Sequence, residues 1–348
     1  MGAGRPIELQ DVPDPVPGPM DAVVRVEACG ICASDLHFIH GEMPLPVAPP
    51  VTMGHEASGV IEAVGAEVPA GWRAGQRVSL MAGKVCMACS SCRVGMLEDC
   101  QDAQIMGVHY DGGWAEYVTA PWYALAPIPE GVSFDHAAIA SDAVSTPYAA
   151  VTRRGALRPG ERVGIWGVGG LGTHAVQVAR MAGAAFVVAL DPLPAARERA
   201  LKVGADLALD PLKDDVAPAI RDATGGRGLD LAVDAVGSAD AIRQAMFCMV
   251  RGGRIVLMGQ SMQTLDAGPI LLVSFLRIAL LGHLGYEKQD LLDVLDLIAS
   301  GRLDLSASVS DRLPLDRVNE GVERLTSKED APVRLVVIPG AGGSTGPA

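Results

Sequence analysis

From residue 22 the chain alternates short apolar runs with Gly- and Pro-rich breaks: AVVRVEA (22–28), ASGVIEAV (57–64), GQRVSLM (75–81) and GGWAEYVTA (112–120). Apolar runs of this length, bounded by turn residues, predict strands, so the stretch to about residue 125 reads as a β-rich domain with little helix. The Pro-rich DVPDPVPGP (11–19) ahead of it predicts an extended connector.

Near residue 134 the period changes. ERVGIWGVGG (161–170) predicts a strand running into a glycine turn, and LGTHAVQVARMAGA (171–184) repeats Leu171, Ala175, Val178 and Ala182 on one helical face. FVVALD, LDLAVDAVG and GRIVLMG follow as strands, with PAARERALKVGA (194–205) as a helix whose charged run faces solvent. Strands alternating with helices predict βαβ units on a parallel sheet. After LLGHLG (280–285) come two helical stretches, DLLDVLDLIASG and LDRVNEGVERL, and a last strand, VRLVVIP. The low-complexity tail GAGGSTGPA (340–348) is expected to be disordered.

A length of 348 residues points to two domains, and 49% hydrophobic against 20% charged residues describes a folded chain with a large core. A formal charge of −13 argues against nucleic acid or an anionic membrane as partner. No run approaches the ~20 apolar residues of a membrane span. The N-terminal MGAGRPIELQ lacks a signal-peptide core, so a cytoplasmic location is expected. In that reducing compartment the seven cysteines are expected to be ligands or thiols rather than disulfides.

GVGGLG (167–172) follows a predicted strand and opens a predicted helix. Glycines there let the backbone approach a pyrophosphate at the positive helix end, which assigns Gly167, Gly169, Gly170, Leu171 and Gly172 to a dinucleotide turn. Asp191, ending the next strand, would accept bonds from the adenosine ribose hydroxyls and repel a 2′-phosphate, favouring NAD over NADP. Its competing reading is a cap for the helix beginning near Pro192.

All cysteines but Cys248, which reads as a buried small hydrophobe, fall in two clusters. Cys86, Cys89, Cys92 and Cys100 stand as C-x2-C-x2-C-x7-C, a spacing that fits a closed four-thiolate zinc and, on spacing alone, an iron–sulfur cluster too. In CGICASDLH (29–37), Cys29 and Cys32 read either as a redox dithiol or as a ligand with its neighbours. For the second reading, Cys32 needs His55, beside Glu56 in MGHEASG, and Asp142 in SDAVSTPY. Cysteine, histidine and a carboxylate would leave the fourth zinc position open.

CGICASDLH, GHE, the four-cysteine run, DGGWAEY, SDAVSTPY, GVGGLG and VRLVV stand in an order that resembles the zinc-dependent alcohol dehydrogenases of the medium-chain dehydrogenase/reductase superfamily, over about residues 7–338. The resemblance implies an α/β chain. A GroES-like β-rich catalytic domain (1–143 and 285–348, with a structural-zinc lobe at 83–101) would accompany a Rossmann doubly wound parallel-sheet domain (144–284). It implies two zinc ions per subunit. The catalytic one would be held by Cys32, His55 and Asp142, with Glu56 near the metal and Asp35 supporting His55. The structural one would be held by Cys86, Cys89, Cys92 and Cys100.

The same resemblance implies cofactor contacts at Thr146, Leu284 and Arg334, the last reaching the phosphates unless it forms an ordinary surface ion pair. It places Met43, Ala82, Ile105 and Leu284 at the substrate pocket. It further implies a proton relay from Ser34 through the nicotinamide ribose to His37, and a homodimer or homotetramer. Two departures stand out: the first strand usual in the family is missing, and Pro147 replaces a common glycine.

The expected activity is reversible hydride transfer between an alcohol and NAD(H). A polyol, sugar or amino-alcohol dehydrogenase is the nearest alternative, and a non-enzymatic zinc or redox-sensing protein the more distant one. Zinc-free quinone or enoyl reductases lack these cysteines. His174 is expected on a helix surface, and His40, His109 and His136 have no matching partners.

Overall fold

The computed structural model describes residues 6–265, 268–328 and 330–342. They form two compact units, one spanning Met1–Ser145 with Glu287–Ala348 and the other Thr146–Tyr286.

In the first unit a seven-stranded sheet runs in the order Val309–Pro314, Arg334–Ile338, Asp21–Ile31, Glu56–Val64, Arg77–Leu80, Leu125–Pro127, with Tyr117–Pro121 also paired to Asp21–Ile31. The C-terminal strand is antiparallel to the first, with Cys29 opposite Val337 and Ile31 opposite Leu335. Period-2 alternation sends Val24 and Val26 inward and Arg25 outward, and Ile61, Leu80, Leu125 and Leu335 close the same core. GGWAEYVTA is strand only from Tyr117 on, where the strand Tyr117–Pro121 begins. Its Trp114 is buried instead, donating from Nε1 to Gly30 O at 3.2 Å. Asn319 ties the N-terminal segment down by a reciprocal pair with Ile7, at 2.8 and 2.9 Å.

The second unit holds a six-stranded, all-parallel sheet in the order Leu207–Leu209, Phe186–Leu190, Arg162–Trp166, Leu229–Asp234, Met249–Leu257, Ala279–Gly282. The three central strands, Phe186–Leu190, Arg162–Trp166 and Leu229–Asp234, are almost wholly buried, as expected where crossover helices cover a parallel sheet. Numbered within this unit, the order is 3-2-1-4-5-6, the doubly wound arrangement, and its direction reverses beside Arg162–Trp166. That strand leads into the glycine turn, and the helix Gly170–Met181 follows at once.

Two sequence expectations change here. The face of Gly170–Met181 that packs inward is centred on Thr173, His174, Ala175, Val176, Val178 and Ala179, while Leu171 and Ala182 are only half-buried. His174, expected on the surface, is therefore fully buried. In the tail, 340–342 continue a 3₁₀ turn begun at Pro339, and 343–348 lie outside the described residues.

Because Leu335 is fully buried at the junction of the N- and C-terminal pieces, Leu335→Ala should lower stability by about 2–5 kcal/mol in equilibrium denaturation.

Candidate metal centres and dinucleotide turn

Cys32 directly follows the first strand and caps the helix Ala33–Ile39. Three residues on, Asp35 reaches back to accept the Cys32 amide at 2.9 Å, a reciprocal cap that fixes where the Cys32 thiol lies. The other Asp35 oxygen is 3.1 Å from His55 Nδ1. A carboxylate on Nδ1 leaves Nε2 as the ligating atom and orients the ring. Nε2 lies 3.7 Å from Asp142 Oδ2 and 3.4 Å from Ser34 Oγ, and Cys32 Sγ lies 3.5 Å from the same Asp142 oxygen.

Asp142 comes from a π-helical turn, Ala140–Val144, an insertion that re-aims a helical side chain and recurs at functional sites. Ser141 beside it is buried and spends its hydroxyl on Ala138 O.

Donor atoms of Cys32, His55, Glu56 and Asp142 all lie within 4.8 Å of one another. Glu56 fits there because Gly30 lacks a side chain: a Cβ at Gly30 would sit 2.0 Å from Glu56 Oε2. Both Glu56 oxygens are buried without a hydrogen-bond partner, and Arg334 Nη2 lies 3.2 Å from Oε1. Burial pushes the Glu56 carboxyl well up, with Arg334 pulling the other way. Burial also works against a charged His55, yet Asp35 beside it holds the ring well above the usual histidine range. A neutral imidazole, a cysteine sulfur and two carboxylates around one point are a donor set that fits a divalent cation of zinc's ligand preference.

The second cluster lies between two short paired strands, Gly83–Lys84 and Gln104–Ile105. Cys86 Sγ is 3.9 Å from Cys92 Sγ and 3.6 Å from Cys100 Sγ. A zinc tetrahedron with bonds of about 2.3 Å requires sulfurs ~3.8 Å apart. Sulfurs this close leave room for one ion rather than a multi-iron core. Backbone amides of Cys86, Ala88, Cys89 and Cys92 point at the sulfurs from 3.3 to 3.5 Å. The Cys92 amide above all lowers the Cys89 thiol to about 6, while burial raises Cys92 to about 12.

In the second unit, a Cβ on Gly172 would meet Gly167 O at 1.7 Å, so only glycine lets the helix start so close to the turn. Asp191 accepts the Val168 amide on Oδ2 (2.8 Å) and the Leu193 amide on Oδ1 (2.9 Å), and is 8% exposed. It locks the turn to the neighbouring strand end and is not the cap of Pro194–Lys202, whose cap position is Leu193. Each carboxylate oxygen keeps a further lone pair.

The helix Pro194–Lys202 is not simply a solvated charged face. Arg199 donates to Val168 O at 2.8 Å and Thr173 Oγ1 at 3.2 Å, and Arg197 donates to Asp191 O at 2.7 Å. Thr146 is 6% exposed, and its carbonyl lies 3.0 Å from His283 Nε2.

Known proteins give the same picture. Residues 18–130 match the model of the alcohol dehydrogenase GroES-like domain, and 170–300 that of the zinc-binding dehydrogenases. An alcohol dehydrogenase of Geobacillus stearothermophilus is 35% identical over 92% of this chain and 93% of its own. The chain belongs to the zinc-type alcohol dehydrogenases of the medium-chain dehydrogenase/reductase superfamily.

Within this family an L-threonine 3-dehydrogenase of Symbiobacterium thermophilum is 33% identical over 96% of this chain and 95% of its own. A zinc-binding dehydrogenase of Sinorhizobium meliloti 1021, solved bound to NADP, superposes with a TM-score of 0.88 at 30% identity, covering 97% of both chains. The GroES-like and Rossmann folds expected from the motifs are those found.

Other expected site residues are placed as follows. Arg334 is 2% exposed, not on the surface, and also donates from Nη1 to Ile31 O at 3.1 Å. Met43, Ala82 and Ile105 are half-buried, and Leu284 is 67% exposed. His37 meets Glu42. His109 Nδ1 accepts the Ile105 amide at 3.0 Å, which ties its own loop together. Cys248 is buried, with its thiol raised to about 12 by burial. Cys29 is fully buried in the strand core, free of any disulfide, and burial raises its thiol well above the usual value.

Cys32→Ala and Asp142→Ala should each lower bound zinc by about one ion per chain, Cys100→Ser should remove the other, and Cys29→Ala should remove none. Metal analysis of the purified variants checks all four.

Proposed function

We propose that this dehydrogenase is a zinc- and NAD(H)-dependent alcohol dehydrogenase, interconverting an alcohol and its carbonyl compound by hydride transfer. The observation that carries the reading is the convergence of Cys32 Sγ and His55 Nε2 on one Asp142 oxygen, at 3.5 and 3.7 Å, beside Ser34. Zinc at these donors supplies Lewis acidity that favours the ionised form of the alcohol. Asp35 keeps His55 Nε2 on the metal side, and the Arg334 charge holds Glu56 inside the sheet. Ser34, 3.4 Å from His55, receives the substrate proton, and the partly exposed His37 releases it to solvent.

The four-cysteine lobe holds the second, structural zinc. The 167–172 turn would hold the dinucleotide, with Asp191 at the adenosine ribose, and the family resemblance assigns Thr146, Leu284 and Arg334 to the cofactor as well. A carboxylate at that ribose disfavours the 2′-phosphate of NADP. The similarity to an L-threonine 3-dehydrogenase supports a second reading, in which the substrate is a polyol, sugar or amino alcohol.

A homodimer or homotetramer is supported by the edge strand Ala279–Gly282 and the adjoining helix Ile270–Leu276, where Ile270, Leu271 and Phe275 are 82%, 77% and 63% exposed. A cytoplasmic location agrees with the free thiols.

Turnover should be at least about tenfold more efficient with NAD than with NADP, and Asp191→Ala should narrow the gap. Equal kcat/KM for both cofactors in the wild type would refute the assignment of Asp191. A steady-state panel of aliphatic, aromatic, polyhydroxy and amino alcohols separates the two substrate readings. Ser34→Ala should cut kcat by about 100-fold with zinc content unchanged. In light scattering, Phe275→Glu should shift the mass toward a monomer.

A further inference from the structure

The turn after the first helix brings a carboxylate onto the residue assigned to proton release. The helix Ala33–Ile39 ends at His40, and Gly41 takes φ +74°, a left-handed conformation that glycine adopts without strain. The chain then doubles back, and the Met43 amide donates to His37 O at 3.0 Å. This reversal sets Glu42 Oε2 2.5 Å from His37 Nδ1, with the two side chains 58% and 27% exposed. An ion pair this exposed contributes little to stability, so its consequence lies elsewhere.

Imidazole has two distinct nitrogens, and the partner of one decides which carries the proton. A carboxylate against Nδ1 retains Nδ1–H and leaves Nε2 as the acceptor of the ring.

We propose that Glu42 is a positioning residue for the proton exit, holding His37 in the Nδ1–H tautomer so that Nε2 takes up the proton released from the alcohol. The imidazolium then gives its Nε2 proton to water or a buffer base and returns to the starting tautomer. One proton arrives and one leaves, the carboxylate gains none, and no electron pair is transferred. The proposal rests on the reading of Ser34 and His37 as the relay.

The test combines a tautomer measurement with kinetics on the full-length, metal-loaded protein. In long-range proton–nitrogen spectra of 15N-histidine-labelled protein, with the neutral ring observed and its signal assigned through His37→Gln, wild-type His37 should show Nδ1–H. Glu42→Ala should move it to Nε2–H. In alcohol oxidation Glu42→Ala should lower kcat about 3- to 10-fold with little change in KM, and raising the concentration of a buffer base that does not bind zinc should restore the rate. Glu42→Gln, whose amide oxygen still accepts from Nδ1–H, should retain most of the activity.

A wild-type Nε2–H signature, or a tautomer unchanged in Glu42→Ala, overturns the proposal. Slow His37→Gln beside unimpaired Glu42→Ala overturns it while leaving the relay standing. His37→Gln at the wild-type rate removes the relay and the proposal with it.

Discussion

Everything at the Cys32–His55–Asp142 centre depends on one buried ion pair. Glu56 is fully enclosed, Arg334 is 2% exposed, and they face each other at 3.2 Å. Leaving either charge alone at such a depth costs about 3–5 kcal/mol, so the two must arrive together. They arrive from opposite ends of the chain. The register that sets Ile31 against Leu335 puts Arg334 just past the end of the first strand, next to Cys32. The C-terminal segment therefore returns to this sheet for a reason beyond completing it: it carries the cation that lets Glu56 face the ligands. Arg334 and a protonated His55 together still do not balance Cys32, Asp35, Glu56 and Asp142 once they ionise. The remaining negative charge is what a divalent ion at this point would neutralise.

What could be read in the sequence was what local geometry controls. Cys32, Ser34, Asp35 and His37 span a helix cap and its first turns, so their spacing already encodes their placement. The glycine turn was legible for the same reason, because strand, turn and helix follow without interruption. Residues whose partners are set by tertiary packing were not legible. His174 looked like surface because it falls off the stripe of Leu171, Ala175, Val178 and Ala182, yet this helix is buried on more than that one side. Arg197 and Arg199 looked like a solvated run, yet both donate to carbonyls of the dinucleotide turn and its neighbouring strand end. Glu42 gave no signal at all, since its contact depends on a single left-handed glycine.

The C-x-x-C at the start of the first motif shows how a short spacing misleads. Cys29 lies within the strand, paired with Val337 on one side and Ala57 on the other, and its side chain points into the sheet core. Cys32 lies past the end of the strand at the helix cap, and its thiol faces Asp142. The change of backbone direction between them sends the two sulfurs to different environments. Burial raises the Cys29 thiol and makes it a packing group, whereas a redox dithiol needs an accessible, ionisable member.

The other cysteine run shows the opposite economy of structure. Between Gly83 and Ile105 the buried hydrophobic positions are Cys92 and Cys100, while Met87, Val94 and Met96 stand 45%, 72% and 49% exposed. A segment this poor in buried apolar surface cannot offset its own chain entropy by packing. Its two paired strands are two residues each, too short to hold a lobe together. The Cys86 sulfur already stands 3.9 and 3.6 Å from those of Cys92 and Cys100, near the separation a tetrahedral ion requires, and backbone amides are directed at the cluster. An ion at these four sulfurs would take the place of a hydrophobic core in this lobe and couple its binding to local folding.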